Sequence, residues 1–286
     1  MTTSRGRWSD LDRPPLGVRA LRDALIRPAG LWTALDVVEV TGSTNADLAD
    51  AARAGRVGAG AVLIAEEQTS GRGRLGRTWS APARSGLFFS VLLRPERHVP
   101  AARLTWLPLL AGVAAATALS RAAGVDAVLK WPNDLLVRVA GEERKFGGIL
   151  AERVADADGG AVVLGIGLNV SLRAEELPVP GAGSLLLADA VSTDRDPLLR
   201  AVLRSLAEWY TRWTEAGGDA EAAGLHAAYE KCSATLGRRV RAELPGGGET
   251  RGEAVAVDDE GRLVIAADDG TRQPVAAADI IHLRAA

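Results

Sequence analysis

The 286-residue chain sets 34 Lys and Arg against 36 Asp and Glu, a formal net charge of -2, and is 47% apolar. That is enough for one large domain or two unequal ones with a real core, and too little positive charge for a typical nucleic-acid binder. The single cysteine, Cys232, rules out an intrachain disulfide, and three scattered histidines (His98, His226, His282) with no CxxC, HxxxH or HExxH pattern argue against a structural zinc site.

The opening "MTTSRGRWSDLDRPP" lacks the apolar stretch of a signal peptide, so a cytoplasmic chain is expected. Residues 1–34 read as an extension with a short helix at 18–26. "LDVVEV" (35–40) is a strand, and "TGSTNADLADAARAG" a helix over about 45–54, with Thr44 and Asp47 as a capping box and Gly55 as a stop. A buried strand at 60–68 runs into "SGRGRLGRTW" (70–79), and another strand covers 86–95. "LTWLPLLAGVAAATALS" (104–120) is uncharged, but nine of its seventeen residues are Ala, Gly, Ser or Thr, and Pro108 interrupts it. That composition predicts a buried core helix ending before Gly124 rather than a membrane span.

Four strand-like runs follow at 125–131, 135–139, 146–154 and 161–170, joined by short links suited to antiparallel hairpins. An amphipathic helix is expected at about 196–215 and further helix up to Tyr229. Five short strands with Gly/Asp turns then suggest a small barrel. The expectation is an α+β domain with a mixed, largely antiparallel sheet over 35–233, and a barrel over 234–286.

Several stretches could carry chemistry. In "GRGRLGR", Gly71, Gly73 and Gly76 allow close backbone approach, and Arg72, Arg74 and Arg77 offer bidentate forks to phosphate or carboxylate. Trp79 beside them is a platform for a nucleobase; read alone, the segment is equally a solvated turn. "KWPNDLL" (130–136) joins Lys130, Asn133 and Asp134 around a proline, either as an ordinary turn or as a phosphate and Mg²⁺ site. Lys145 opens a strand that contains Gly147-Gly148, a pair that marks close approach of a ligand or backbone. "GIGLN" (165–169) repeats the glycine theme without a dinucleotide-binding spacing. "GSTN" (42–45) opens a helix, where capping alone explains Ser43 or Thr44, and where helix-terminal donors could also face a ligand.

In this order, "GSTN", "EQTSGRGRLGRTW", "KWPNDLL", "KFGGILAE", "GIGLNV" and a terminal barrel resemble the biotin protein ligases, over roughly residues 35–286. The resemblance implies a class II synthetase-like catalytic domain, an SH3-like terminal barrel, and ATP-dependent formation of biotinyl-5′-adenylate. Biotin then passes to a lysine of the biotin carboxyl carrier domain of an acyl-CoA or pyruvate carboxylase. It also implies biotin contacts at Ser43, Thr44, Asn45, Gln68, Gly71, Arg72, Gly73, Arg74, Lys145 and Gly165. Adenylate contacts are implied at Arg72, Arg74, Arg77, Trp79, Lys130, Asn133 and Asn169, with Asp134 toward Mg²⁺ and Lys145 and Arg72 closest to the reacting groups. Some relatives carry an N-terminal DNA-binding module; the residues before "LDVVEV" are too few for one, so no DNA or membrane partner is expected, and monomer and weak dimer both stay open. A lipoate or octanoyl ligase and an RG-loop nucleic-acid module are the alternative readings.

Overall fold

The computed structural model describes residues 12–95, 99–155, 160–244, 247–276 and 278–283; His98 and the first eleven residues of the N-terminal extension lie outside them. In chain order the elements begin with α1 (Val18–Leu25), β1 (Ala34–Thr41), α2 (Thr44–Arg53), β2 (Ala61–Gln68), β3 (Gly71–Arg72), β4 (Thr78–Trp79), β5 (Gly86–Leu93) and α3 (Trp106–Ala123). They continue through β6 (Val128–Lys130), β7 (Asp134–Val139), β8 (Glu142–Val154), β9 (Ala161–Asn169), α4 (Arg195–Glu215) and α5 (Leu225–Cys232). The last five strands are β10 (Arg239–Glu243), β11 (Glu249–Val257), β12 (Leu263–Ala266), β13 (Arg272–Val275) and β14 (Asp279–His282).

A seven-stranded sheet runs in the order β1-β2-β5-β9-β8-β7-β6, and only β1 and β2 are parallel. The hairpin links expected from their length account for the antiparallel side. The terminal strands form a separate antiparallel sheet, β13-β12-β11-β10-β14. The run expected as a strand at 125–131 contributes only three residues to β6: Val125 and Ala127 are buried in the irregular link from α3, and residues 131–133 form the turn into β7.

The sheet's two faces have different jobs. On one face α3 and α4 pack into the main core, with Leu164, Ile166 and Leu168 of β9 pointing into it. Thirteen of the eighteen α3 residues are buried, so the uncharged run is a core helix, and Gly124 ends it in the left-handed region at φ 65°. On the other face α2 covers only one end of the sheet, through Leu48, Ala49 and Ala52 against Leu92, Val154 and Val163. Continuing along that face of β9, Val163 is followed by Gly165 and Gly167. Where α2 stops, small residues leave a depression, and the candidate functional site forms there.

The N-cap of α2 differs from expectation. Ser43, not Thr44, is the cap, accepting from Ala46 N at 3.5 Å. Asp47 bonds Thr41 Oγ1 instead of closing a capping box. The shift of one residue places Thr44 and Asn45 in the first turn, with their side chains buried against the sheet.

Candidate active site

The first turn of α2, the end of β2 and the middle of β5 meet in a polar cluster. Thr44 donates its N–H to Gln68 Oε1 at 2.9 Å. Ser90 Oγ lies 2.7 Å from Thr44 Oγ1 and 2.6 Å from Asn45 Oδ1. Asn45 Nδ2 donates to Glu152 Oε2 at 2.7 Å and to Leu150 O at 3.3 Å. Neither Ser90 nor Glu152 stood out in the sequence. Ser90 is a lone polar residue in an apolar strand, and that pattern was the one available signal.

Gly165 has a specific cause. A Cβ there would lie 2.0 Å from Asn45 Oδ1, so the glycine makes room for the carboxamide. Gly165→Ala should displace Asn45 and raise the KM for the pocket's ligand at least tenfold, while the midpoint of thermal unfolding falls by only a few degrees. A variant with a wild-type KM would contradict this role for the glycine.

Trp79 lies on the next stretch of the same face. A Cβ at Gly148 would sit 3.1 Å from its ring, and one at Gly167 3.0 Å. The indole Nε1 is buried without a partner, which leaves a donor for a ligand at this point. β3 and β4 pair Gly71 with Trp79 and Arg72 with Thr78, so the Arg/Gly segment is a small two-stranded ladder and not an open loop. Its tip bends through Leu75 at φ 55° and Gly76 at φ 74°. A Cβ at Gly71 would fall 2.4 Å from Trp79 O, so this ladder requires glycine there.

Lys145 reaches the site through a β-bulge. The pairing of β7 with β8 jumps from Leu135–Gly147 to Leu136–Lys145, leaving Phe146 as the extra residue. Phe146 is buried in the core, and the bulge turns Lys145 to the glycine-floored face. Lys145 Nζ lies 2.6 Å from Asp134 Oδ1 and 5.8 Å from the Trp79 ring centroid. The Lys145 backbone is clamped by Gly181 and Gly183 at 2.9 and 2.8 Å. Asn169 does not enter the depression; its Nδ2 donates to Gly183 O at 3.0 Å, steadying the segment that clamps Lys145.

A second, cationic recess adjoins this point. Arg74, Arg77, Lys130, Asp134 and Lys145 line a cavity of about 230 Å³ closed by Asp279 of the terminal sheet. Burial holds the Lys130 ammonium below its usual value, with Asp134 opposing the shift, and burial likewise lowers Arg74. Arg77 pairs with Asp279, and Arg74 Nη1 is 3.4 Å from Asn133 Oδ1. Asn133 is itself fixed by exchange with Ile149: Nδ2 donates to its carbonyl and Asn133 O accepts from its N–H, both at 2.9 Å. A larger cleft of about 1090 Å³ opens beyond the Arg/Gly ladder toward Pro108, Trp131 and Gly261.

The structure thus gathers Ser43, Thr44, Asn45, Gln68, Arg72, Gly73 and Lys145 about the small glycine-floored pocket. It sets Arg74, Arg77 and Lys130 in the cationic recess beside it. Trp79, Asn133 and Arg72 border both the small pocket and the larger cleft. An apolar-floored pocket with a few aimed polar groups, opening into a cationic recess, suits a small ligand joined to a phosphate.

Residues 37–169 match the model of the Biotin/lipoate A/B protein ligase family, and residues 235–283 match the Biotin protein ligase C terminal domain. The chain is 45% identical over 276 residues to a biotin–[acetyl-CoA-carboxylase] ligase of Mycobacterium tuberculosis, covering 95% of this chain and 97% of that one. It is 34% identical to the bifunctional ligase/repressor BirA of Escherichia coli, over 81% of this chain and 69% of that protein. Among solved structures, the biotin protein ligase from Aquifex aeolicus in complex with biotin and ATP superposes with a TM-score of 0.71 at 27% identity, covering 89% of this chain and all of that one. The glycine-floored pocket, the cationic recess and the terminal sheet therefore belong to a member of the biotin protein ligase family.

Proposed function

We propose that this chain activates biotin with ATP to biotinyl-5′-adenylate and then transfers biotin to one lysine of a biotin carboxyl carrier domain of an acyl-CoA or pyruvate carboxylase. The observation that carries this reading is the position of Lys145. It lines both the small glycine-floored pocket, with its few aimed polar groups, and the adjoining recess that gathers Arg74, Arg77 and Lys130. In the first step a biotin carboxylate oxygen bonds to the α-phosphorus and pyrophosphate leaves. Both reactants are anionic, and Lys145 and Arg72 offset their repulsion as charge moves onto the bridging oxygen. In the second step the carrier amine attacks the acyl carbon and AMP leaves with the electron pair of the C–O bond.

Thr44, Gln68 and Asn45 would bracket the ureido ring, and Trp79, Arg74 and Arg77 would hold the nucleotide. Asp134 fits Mg²⁺, which takes one or two carboxylates plus phosphate oxygens and water. Among the described residues no three metal-ligand side chains cluster, so the ion would arrive with ATP rather than sit in a protein cage. Bound Mg²⁺ would neutralise charge on the departing pyrophosphate.

In the Arg/Gly ladder Arg72 and Arg77 have exposed heads, and the pairing is only two residue pairs long; Arg72 is 57% exposed and 4.0 Å from Glu152. Folded over the adenylate it would shield the acyl phosphate from water. Arg72→Ala should speed adenylate dissociation at least tenfold and label unrelated lysines. Wild-type release and wild-type target selectivity would overturn that role. The whole reaction is tested by incubating the protein with ATP, Mg²⁺, biotin and a purified carrier domain: mass spectrometry should find one biotinyl group on one carrier lysine. Efficient lipoylation with no biotinylation would replace this reading.

A further inference from the structure

The hydroxyl chain at the bottom of the small pocket has a direction, and its outer end sets it. Asn45 Nδ2 faces Glu152 Oε2 at 2.7 Å and Leu150 O at 3.3 Å. A carboxylate and a carbonyl accept only, so the carboxamide must turn its amino end toward them. Its oxygen then faces Ser90 Oγ at 2.6 Å and can only accept, so Ser90 spends its one proton on Asn45. Thr44 Oγ1, at 2.7 Å from Ser90 Oγ, must in turn donate to Ser90. Each hydroxyl has one proton, so Thr44 Oγ1 has none left for the pocket and meets a ligand with lone pairs. Gln68 Oε1, at 3.2 Å, competes for that proton, but it already takes the Thr44 N–H at 2.9 Å, and the 2.7 Å contact with Ser90 is the shorter one.

We propose that Glu152 is a positioning residue that, through Asn45 and Ser90, fixes Thr44 as a hydrogen-bond acceptor and thereby selects a ligand ring that presents an N–H donor. This rests on the reading of the pocket as the biotin site: a cyclic urea has such donors, and a dithiolane ring of similar size has none. Gly165 belongs to the same device, because a side chain there would meet Asn45 Oδ1 at 2.0 Å. Glu152 also stands 4.0 Å from Arg72, which places the outer end of the chain beside the Arg/Gly ladder.

The test compares Glu152→Ala, Glu152→Gln and Ser90→Ala with wild type in steady-state adenylation, reading KM for biotin, KM for ATP, kcat and thermal midpoint. Glu152→Ala and Ser90→Ala are expected to raise the biotin KM about tenfold or more, with ATP KM and kcat within twofold. The double variant should be no worse than the poorer single, since both break one chain. Glu152→Gln should keep most of the affinity, because its carbonyl still accepts from Asn45. Unchanged biotin KM, or parallel losses for biotin and ATP with a lowered midpoint, would overturn the proposal. So would Glu152→Gln as defective as Glu152→Ala, which would assign the effect to the charge near Arg72. Failure of the wild-type protein to bind biotin would instead remove the pocket reading itself.

Discussion

Lys145→Ala should slow formation of the adenylate by about 10²–10³-fold, the range for losing one preorganised charge-stabilising donor. The ammonium is held on three sides: its backbone by Gly181 and Gly183, its head by Asp134 at 2.6 Å, and its stem against Gly148 beside Trp79. Little reorganisation is needed when charge develops beside it. Truncation also removes the cation that stands 2.6 Å from the Asp134 carboxylate, at the edge where the phosphate would enter. Lys145→Arg should recover part of the rate, because the charge returns with a bulkier, planar head. Quenched-flow measurement of a single turnover reads this step directly, and KM for the carrier domain should change far less. An unchanged single-turnover rate would remove Lys145 from the chemistry.

Glu66→Ala should cost about 3–5 kcal/mol of folding stability, as breaking a buried ion pair by removing one partner does. Glu66 and Arg195 have side chains only 6% and 5% exposed and meet at 2.6 Å. Glu66 also accepts the Leu16 N–H at 2.7 Å, and Arg195 donates to Pro14 O and Gly86 O. Alanine leaves a buried guanidinium without its carboxylate and a buried N–H without an acceptor, and it removes one of the ties that hold the segment before α1. Replacing both partners together, as in Glu66→Leu with Arg195→Met, should be much milder, because no charge is stranded. Urea denaturation of the wild type and the two variants checks the order. A loss below about 1 kcal/mol for Glu66→Ala would mean that water reaches the pair.

Much of the architecture was readable from pattern. Strand positions followed from apolar runs, and antiparallel pairing from link lengths too short for a crossover. The α3 helix was recognisable as core from its small residues. What pattern missed depended on single-residue displacements. The cap at Ser43 instead of Thr44 changes which side chains face the sheet. The bulge at Phe146 sets the face on which Lys145 stands, and nothing in "KFGGILAE" announces it, because a bulge is a property of two paired strands. The glycines of "GIGLN" signal close approach, and the approaching groups are Asn45 and Trp79 of the protein itself. Ser90 and Glu152 are not legible in the sequence, because each is unremarkable until folding brings it against Asn45.

The site residues also divide more finely than their motifs did. Within "GRGRLGR", Arg72 leans toward Glu152, Arg74 toward Asn133 and Arg77 toward Asp279 of the terminal sheet. Three like charges in one short segment thus address three different walls of the site. The terminal sheet is tied to the catalytic layer by more than Arg77. Trp106 Nε1 donates to Asp259 O at 3.0 Å, and Trp131 Nε1 to Gly261 O at 3.2 Å. Trp131 precedes Pro132 and Asn133, so the β11–β12 turn supports the same segment that carries Lys130 and Asp134.

The measurement that bears most directly on the central claim is release of pyrophosphate from ATP and Mg²⁺ by the folded protein, with and without biotin and with no carrier added. The account predicts a biotin-dependent burst of about one equivalent, followed by slow turnover while the adenylate stays bound. Release that ignores biotin, or its absence from a sample with a cooperative unfolding transition, would contradict the account.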